Sequence, residues 1–206
     1  MILVKEVCVE SFIEASRAIK AGATRIELCD NLTFGGTTPS FGTIKKCLEK
    51  LAVPVMVMIR PRGGDFNYSQ EEFEIMQDDI LQCKELGADG VVFGLLNKNK
   101  TIDEERTKML VQIARPMQVT FHKAIDETTN MMDSVAFLKE IGVERVLSSG
   151  GKKTALEGRK ILSRMIELAA PQLSIVVAGK VTYENFEEIR KKIPSGEYHG
   201  RRLVVF

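Results

Sequence analysis

Three stretches of this chain repeat one local pattern: Gly22-Ala-Thr-Arg-Ile-Glu-Leu28, Gly87-Ala-Asp-Gly-Val-Val-Phe93 and Gly142-Val-Glu-Arg-Val-Leu-Ser148. Each follows an amphipathic segment and opens on a glycine suited to the left-handed position that ends a helix. Each then runs into a short apolar strand. A reused helix, glycine and strand unit constrains the fold more than any composition does. Apolar or β-branched runs at Leu3–Val7, Arg25–Leu28, Val55–Ile59, Gly90–Phe93, Gln118–Phe121, Arg145–Ser148, Ser174–Ala178 and Glu197–His199 predict eight strands. Ser11-x-x-Glu14, Ser69-x-x-Glu72 and Thr101-x-x-Glu104 read as capping boxes, and Asn130 and Thr182 as N-caps, for helices between them.

Strict alternation of strand and helix implies parallel strands joined by right-handed crossovers. Eight such units in 206 residues average about 25 each, which suits a small closed barrel. A doubly wound open sheet is the competitor, but it uses fewer strands. The expected fold is α/β, a TIM-type (β/α)8 barrel forming one domain over residues 1–206. After the last strand only Gly200–Phe206 remain, so the eighth helix is expected to be missing or very short. That leaves strands eight and one without a covering helix and Val4, Val7 and Tyr198 partly exposed. Either the tail Leu203–Phe206 folds back, or a homodimer or higher homo-oligomer covers the groove; the shortness of the tail favours the second.

Charge and hydropathy remove several functions. Lys plus Arg (29) and Asp plus Glu (28) nearly cancel, so no excess charge draws the chain to nucleic acid. The longest apolar run, Val53–Ile59, is far short of the roughly 20 residues that span a bilayer. The N-terminus has no basic segment followed by an apolar stretch, so no secretory signal is expected. Four cysteines without a CxxC pair then point to reduced thiols in the cytoplasm. Cys47 and Cys83 fall on apolar stripes at helical spacing and are expected to pack. Cys8 and Cys29 do not.

In parallel barrels the reactive groups gather where strands run into the following loops. Strand parity puts Glu6 with Cys8 on one face, and Glu27 with Cys29. The third strand runs into Arg60-Pro-Arg62-Gly-Gly-Asp65, and the fifth delivers Thr120 and His122, with Asp126 four residues on. The sixth ends in Ser148-Ser149-Gly150-Gly151, the seventh in Ala178-Gly179-Lys180 and the eighth in His199. Strands of this kind are otherwise almost wholly apolar, so charged groups ending five of them argue for a site.

Lys5-Glu-Val-Cys-Val9, Arg25-Ile-Glu-Leu-Cys29, Gly35-Gly-x-x-Pro-Ser40, Ile59-Arg-Pro-Arg-Gly-Gly-Asp-Phe66, Val119-Thr-Phe-His-Lys123 and Leu147-Ser-Ser-Gly150 together resemble the CutC family of copper homeostasis proteins. The resemblance runs from Glu6 to about His199 and implies a TIM barrel and a cytosolic role in copper handling. Cu(I) is soft and favours thiolates. Cys8 and Cys29, on neighbouring strands about 4.8 Å apart, are the expected metal ligands, with His122 or His199 as a third. The competing reading is an enzyme acting on a small anionic or phosphorylated metabolite. There Arg60 and Arg62 would clamp the anion, Glu27 (or Glu6) and His122 would serve as base and acid, and the turns at Ser149, Gly150 and Gly179 would admit a phosphate to backbone N–H groups.

Overall fold

Eight parallel strands close on themselves in sequence order in the computed structural model, which describes residues 3–206. They are β1 (Val4–Val9), β2 (Arg25–Leu28), β3 (Val55–Met58), β4 (Gly90–Phe93), β5 (Gln118–Phe121), β6 (Arg145–Ser148), β7 (Ser174–Val177) and β8 (Glu197–His199). The connecting helices are α1 (Phe12–Lys20), α2 (Phe41–Lys50), α3 (Gln70–Glu85), α4 (Glu104–Ala114), α5 (Met131–Glu140), α6 (Ala155–Ala169) and α7 (Phe186–Lys192). This is the TIM-type barrel that the alternation predicts. Among the described residues no helix follows β8.

Local chemistry explains most element boundaries. Gly22, Gly87 and Gly142 hold φ of 100°, 75° and 78°, where a side chain would be strained, and each turns a helix into the next strand. The Ser69–Glu72 box is complete, with both reciprocal bonds formed. Ser11 caps α1, but Glu14 accepts from the N–H of Glu10 rather than from that of Ser11. Two expectations fail. Thr101 does not cap α4; Asp103, two residues on, accepts the Arg106 N–H instead. Thr182 does not cap α7 either: its own N–H donates to Asn185 Oδ1. A box at Thr154–Glu157 starts α6.

Strand parity divides the core into an outer and an inner part. Val7, Val9, Ile26, Leu28, Val57, Phe93, Phe121 and Val177 join the helices in one continuous apolar cluster. The alternate residues face the barrel interior, where two small separate clusters form, Cys29 with Met56, Met58 and Val92, and Leu147 with Val176 and Ala178. Cys47 and Cys83 are buried in the outer cluster, as their helical spacing predicts.

The seam between β8 and β1 is closed rather than bare, contrary to expectation. Val7 and Tyr198 are fully buried, and only Val4 stays partly exposed as expected. Phe186 of α7 packs edge-on against the Tyr198 ring at 5.2 Å, and the Tyr198 hydroxyl donates to Ile193 O at 2.9 Å. Leu203 and Val204 of the tail turn into the core, held where the Tyr183 N–H donates to Arg202 O at 2.8 Å. The open groove from which a homo-oligomer was expected is thus filled by the chain itself. Tyr183, Val205 and Phe206 stay exposed.

Candidate functional site

β1 stands between β8 and β2, and its register builds the site. Glu6 lies opposite Arg25 on one side and His199 on the other, while Cys8 lies opposite Glu27. All of these are buried. Inside the barrel the Arg25 guanidinium donates to Glu6 and, at 2.5 Å, to Glu197; Arg145 donates to Glu197 at 3.0 Å. A layer that barrels usually fill with aliphatic side chains is here a charge network. It supports the residues above it.

On the other side of Glu6, its Oε1 sits 2.8 Å from His199 Nδ1. Burial alone would raise the Glu6 carboxyl, but Arg25 and His199 outweigh it and hold it at about 2. His199 Nε2 lies 3.8 Å from Glu27 Oε2. Burial opposes the imidazolium, yet Glu27 and Cys8 together hold it well above its ordinary range. Burial raises the Glu27 carboxyl, with His199 opposing. Ligand atoms of Cys8, Glu27 and His199 all lie within 4.8 Å of one another, and Glu27 Oε1 has no hydrogen-bond partner.

Cys29 occupies a different level. Because Cys8 is in register with Glu27, Cys29 stands two residues further along β2 and its thiol donates to Glu27 Oε2 at 3.4 Å. Burial first, and then the negative charge of Glu27, push that thiol well above the usual range. The two thiols are therefore staggered by two residues along the sheet rather than side by side as equivalent strand ends suggest.

Across the mouth, His122 follows β5. Its Nδ1 accepts from the Ala124 N–H at 3.2 Å, and its buried Nε2 has no partner. Burial and then the Arg60 cation drive its pKa down to about 3, so the ring is neutral. His122 and Glu27 line one small cavity of about 160 Å³, together with Cys8, Phe66 and His199.

The two arginines do not form a clamp. Arg60 is buried and donates to the carbonyls of Phe34, Gly36 and Gly64 at 3.0, 2.9 and 2.7 Å, tying two loops over the mouth. Its guanidinium lies over Phe66, which in turn packs on the His122 ring at 4.9 Å. Arg62 points away from the cavity and spends its donors on Glu72, Asp65 and the Asn67 carbonyl. Its role is to anchor the start of α3.

The expected phosphate turn is also occupied. Asp126 accepts from the N–H groups of Ser149 and Gly151 and from both serine hydroxyls, Ser148 and Ser149. The Gly150 N–H donates to Ser148 Oγ at 2.9 Å. A carboxylate of the chain already fills the place where an anion would sit. Gly179 is a glycine for packing: a Cβ there would meet Ser149 Cβ at 2.7 Å and Ala155 N at 2.9 Å.

The model of the CutC family matches residues 3–203. The chain belongs to the CutC family. It is 44% identical to a human copper homeostasis protein cutC homolog over 194 residues, covering 94% of this chain and 71% of that one. It is 39% identical to a CutC family protein of Enterococcus faecalis over 209 residues, covering 98% of this chain and all of the other. The crystal structure of a CutC protein from Streptococcus agalactiae superposes with a TM-score of 0.93 at 36% identity, over 98% of this chain and 100% of that one.

What this CutC barrel brings together is a soft thiol, an imidazole and a carboxylate, backed by a charge network. Of the residues singled out in the sequence, Cys8, Glu27 and His122 reach one cavity, with His199 beside them; Arg62, Ser149 and Gly150 serve the surrounding loops. Sequence reasoning missed Arg25, Arg145 and Glu197. Their signal was present: each is a charge at an inward position of a strand that should be apolar.

Proposed function

We propose that the chain binds Cu(I) as cargo at the β8–β1–β2 end of the barrel, through Cys8 and His199, with Cys29 as a second thiol ligand. The observation that carries this reading is the convergence of Cys8, Glu27 and His199 within 4.8 Å, all buried. A thiolate and an imidazole are both acceptable to Cu(I), and two or three donors suffice. Binding requires loss of three protons: Cys29 passes its own to the adjacent Glu27 carboxylate, already its hydrogen-bond acceptor, while Cys8 and His199 Nε2 release theirs to solvent and His199 keeps the Nδ1 proton that faces Glu6. Names of relatives such as the human one support a role in copper homeostasis. The four cysteines are free and buried, and a site that depends on free thiols fits a reducing compartment, here the cytoplasm. Anaerobic titration of the reduced protein with Cu(I) against a competing chelator tests the reading. Cys8→Ser should bind far more weakly, and Cys29→Ser should lose part of the affinity. If the double variant binds like the parent, the reading fails.

A second reading is favoured by two unsatisfied atoms. Glu27 Oε1 and His122 Nε2 are buried without partners, and both residues line the same cavity. A raised carboxyl and a neutral imidazole are suited to moving a proton on a small anionic metabolite. Turnover in a metabolite screen that is abolished in both Glu27→Gln and His122→Gln supports this reading; absence of any turnover in the parent counts against it.

A further inference from the structure

A second cavity opens beside the first, at the ends of β6, β7 and β8, and encloses about 660 Å³. Lys123, Lys152, Lys153, Lys180, Arg201 and Arg202 line it, and no aspartate or glutamate does. In a chain with 29 basic and 28 acidic residues, this is a local concentration of charge and not a consequence of overall composition. Lys123 is held by Asp126, Arg201 by Glu10 at 3.0 Å and Arg202 loosely by Glu184 at 3.9 Å. Lys152, Lys153 and Lys180 have no ion-pair partner among the described residues. Like charges converging on one concavity repel each other, and an anion relieves that repulsion.

The backbone at Lys180 adds an independent observation. Its φ is 55°, the left-handed region that glycine occupies freely and a lysine does not. Asn185 fixes the turn, donating from Nδ2 to Lys180 O at 2.9 Å and accepting the Thr182 N–H at 2.8 Å. A position whose backbone suits glycine carries a cation on the wall of the cavity. The backbone N–H groups of Gly179, Lys180 and Val181 donate to no protein carbonyl among the described residues. Ammonium groups are compact point charges with donors in several directions and guanidinium forks bond phosphate oxygens in pairs, so the mixture of lysines and arginines here suits a phosphate. In many barrels of this architecture a phosphate sits at the loops after the seventh and eighth strands.

We propose that this cavity binds the phosphate group of a small phosphorylated molecule, whose remainder extends towards Cys8 and Glu27 past Lys123 and His199, which line both cavities. The assignment does not depend on copper. It is tested on the metal-free protein by phosphorus NMR and thermal unfolding, titrating inorganic phosphate and then glycerol phosphate at constant ionic strength, with chloride as the control anion. Phosphate should bind saturably and raise the unfolding temperature, and glycerol phosphate should bind more tightly. Lys152→Ala/Lys180→Gly should bind about tenfold more weakly or worse. Lys180→Gly alone should unfold at the same or a higher temperature while losing affinity, which separates a binding role from a structural one. Because the titration uses the metal-free protein and reads phosphate alone, failure of the copper reading leaves this result standing. An equal effect of chloride, a double variant that binds like the parent, or glycerol phosphate no tighter than phosphate would overturn the proposal.

Discussion

The two histidines of the chain end up in opposite electrostatic environments at the same mouth. His122, after β5, is buried next to the Arg60 cation and is neutral, its pKa near 3. His199, at the end of β8, is equally buried but sits between Glu6 and Glu27 and is held protonated well above the usual range. Desolvation pushes both rings the same way. The sign of the outcome is decided by which neighbour the barrel supplies, a cation on the β3 side or carboxylates on the β1–β2 side. Burial makes a histidine sensitive; its partner chooses the state.

The strongest way to break this contrast is to remove the carboxylate that orders the β1 side. Glu6→Ala leaves buried Arg25 with Glu197 alone and strips His199 of its Nδ1 partner. Loss of one member of a buried ion pair costs about 3–5 kcal/mol. Urea unfolding should show that loss, and His199 should titrate closer to 6.5 by NMR. An unchanged urea midpoint would mean that the network is not holding the barrel interior.

A smaller effect concerns pH on the other side. His122 takes up a proton near 6.5 when unfolded but only near 3 when folded. Between those values the unfolded chain binds the extra proton, so stability falls as pH drops from about 6.5 towards about 3 and loses no more from this group below that. Over the upper part of that window, from neutral pH to about pH 4.5, the loss should be about 2–3 kcal/mol. Comparing the pH dependence of unfolding in His122→Gln and the parent isolates it. Parallel profiles would contradict a neutral His122.

Arg60 and Arg62 sharpen the same comparison. Arg60→Met removes the cation beside His122, and the ring should then titrate at a higher pH than in the parent. Arg62→Ala should leave His122 where it is and cost about 1 kcal/mol at most, since its pairs with Glu72 and Asp65 are partly exposed. If the two variants shift His122 equally, the field at the mouth is diffuse and Arg60 has no special place in it.

Much of this molecule was legible without coordinates. The repeated glycine stops, the number and order of strands and the packing roles of Cys47 and Cys83 all follow from periodicity along the chain. Even the mouth residues Cys8, Glu27, His122 and His199 could be picked out, because strand parity is local. The errors at the site share one origin. Equivalent strand ends suggest Cys8 and Cys29 as neighbours, Arg60 as a free clamp and the Ser149–Gly150 turn as an open phosphate cradle, and each reading is overturned by a partner distant in sequence. Asp126 is 23 residues from Ser149, and His199 is 193 from Glu6.

Secondary structure, parity and turn chemistry depend on residues within a few positions of each other, so the sequence alone determined them. The stagger of β2 against β1, the tail that fills the seam and the neighbour that sets each histidine's charge depend on how the sheet closes. Closure couples the first strand to the last, and the resulting register decides which side chains meet in the low-dielectric interior, where a single contact outweighs the intrinsic preference of the group.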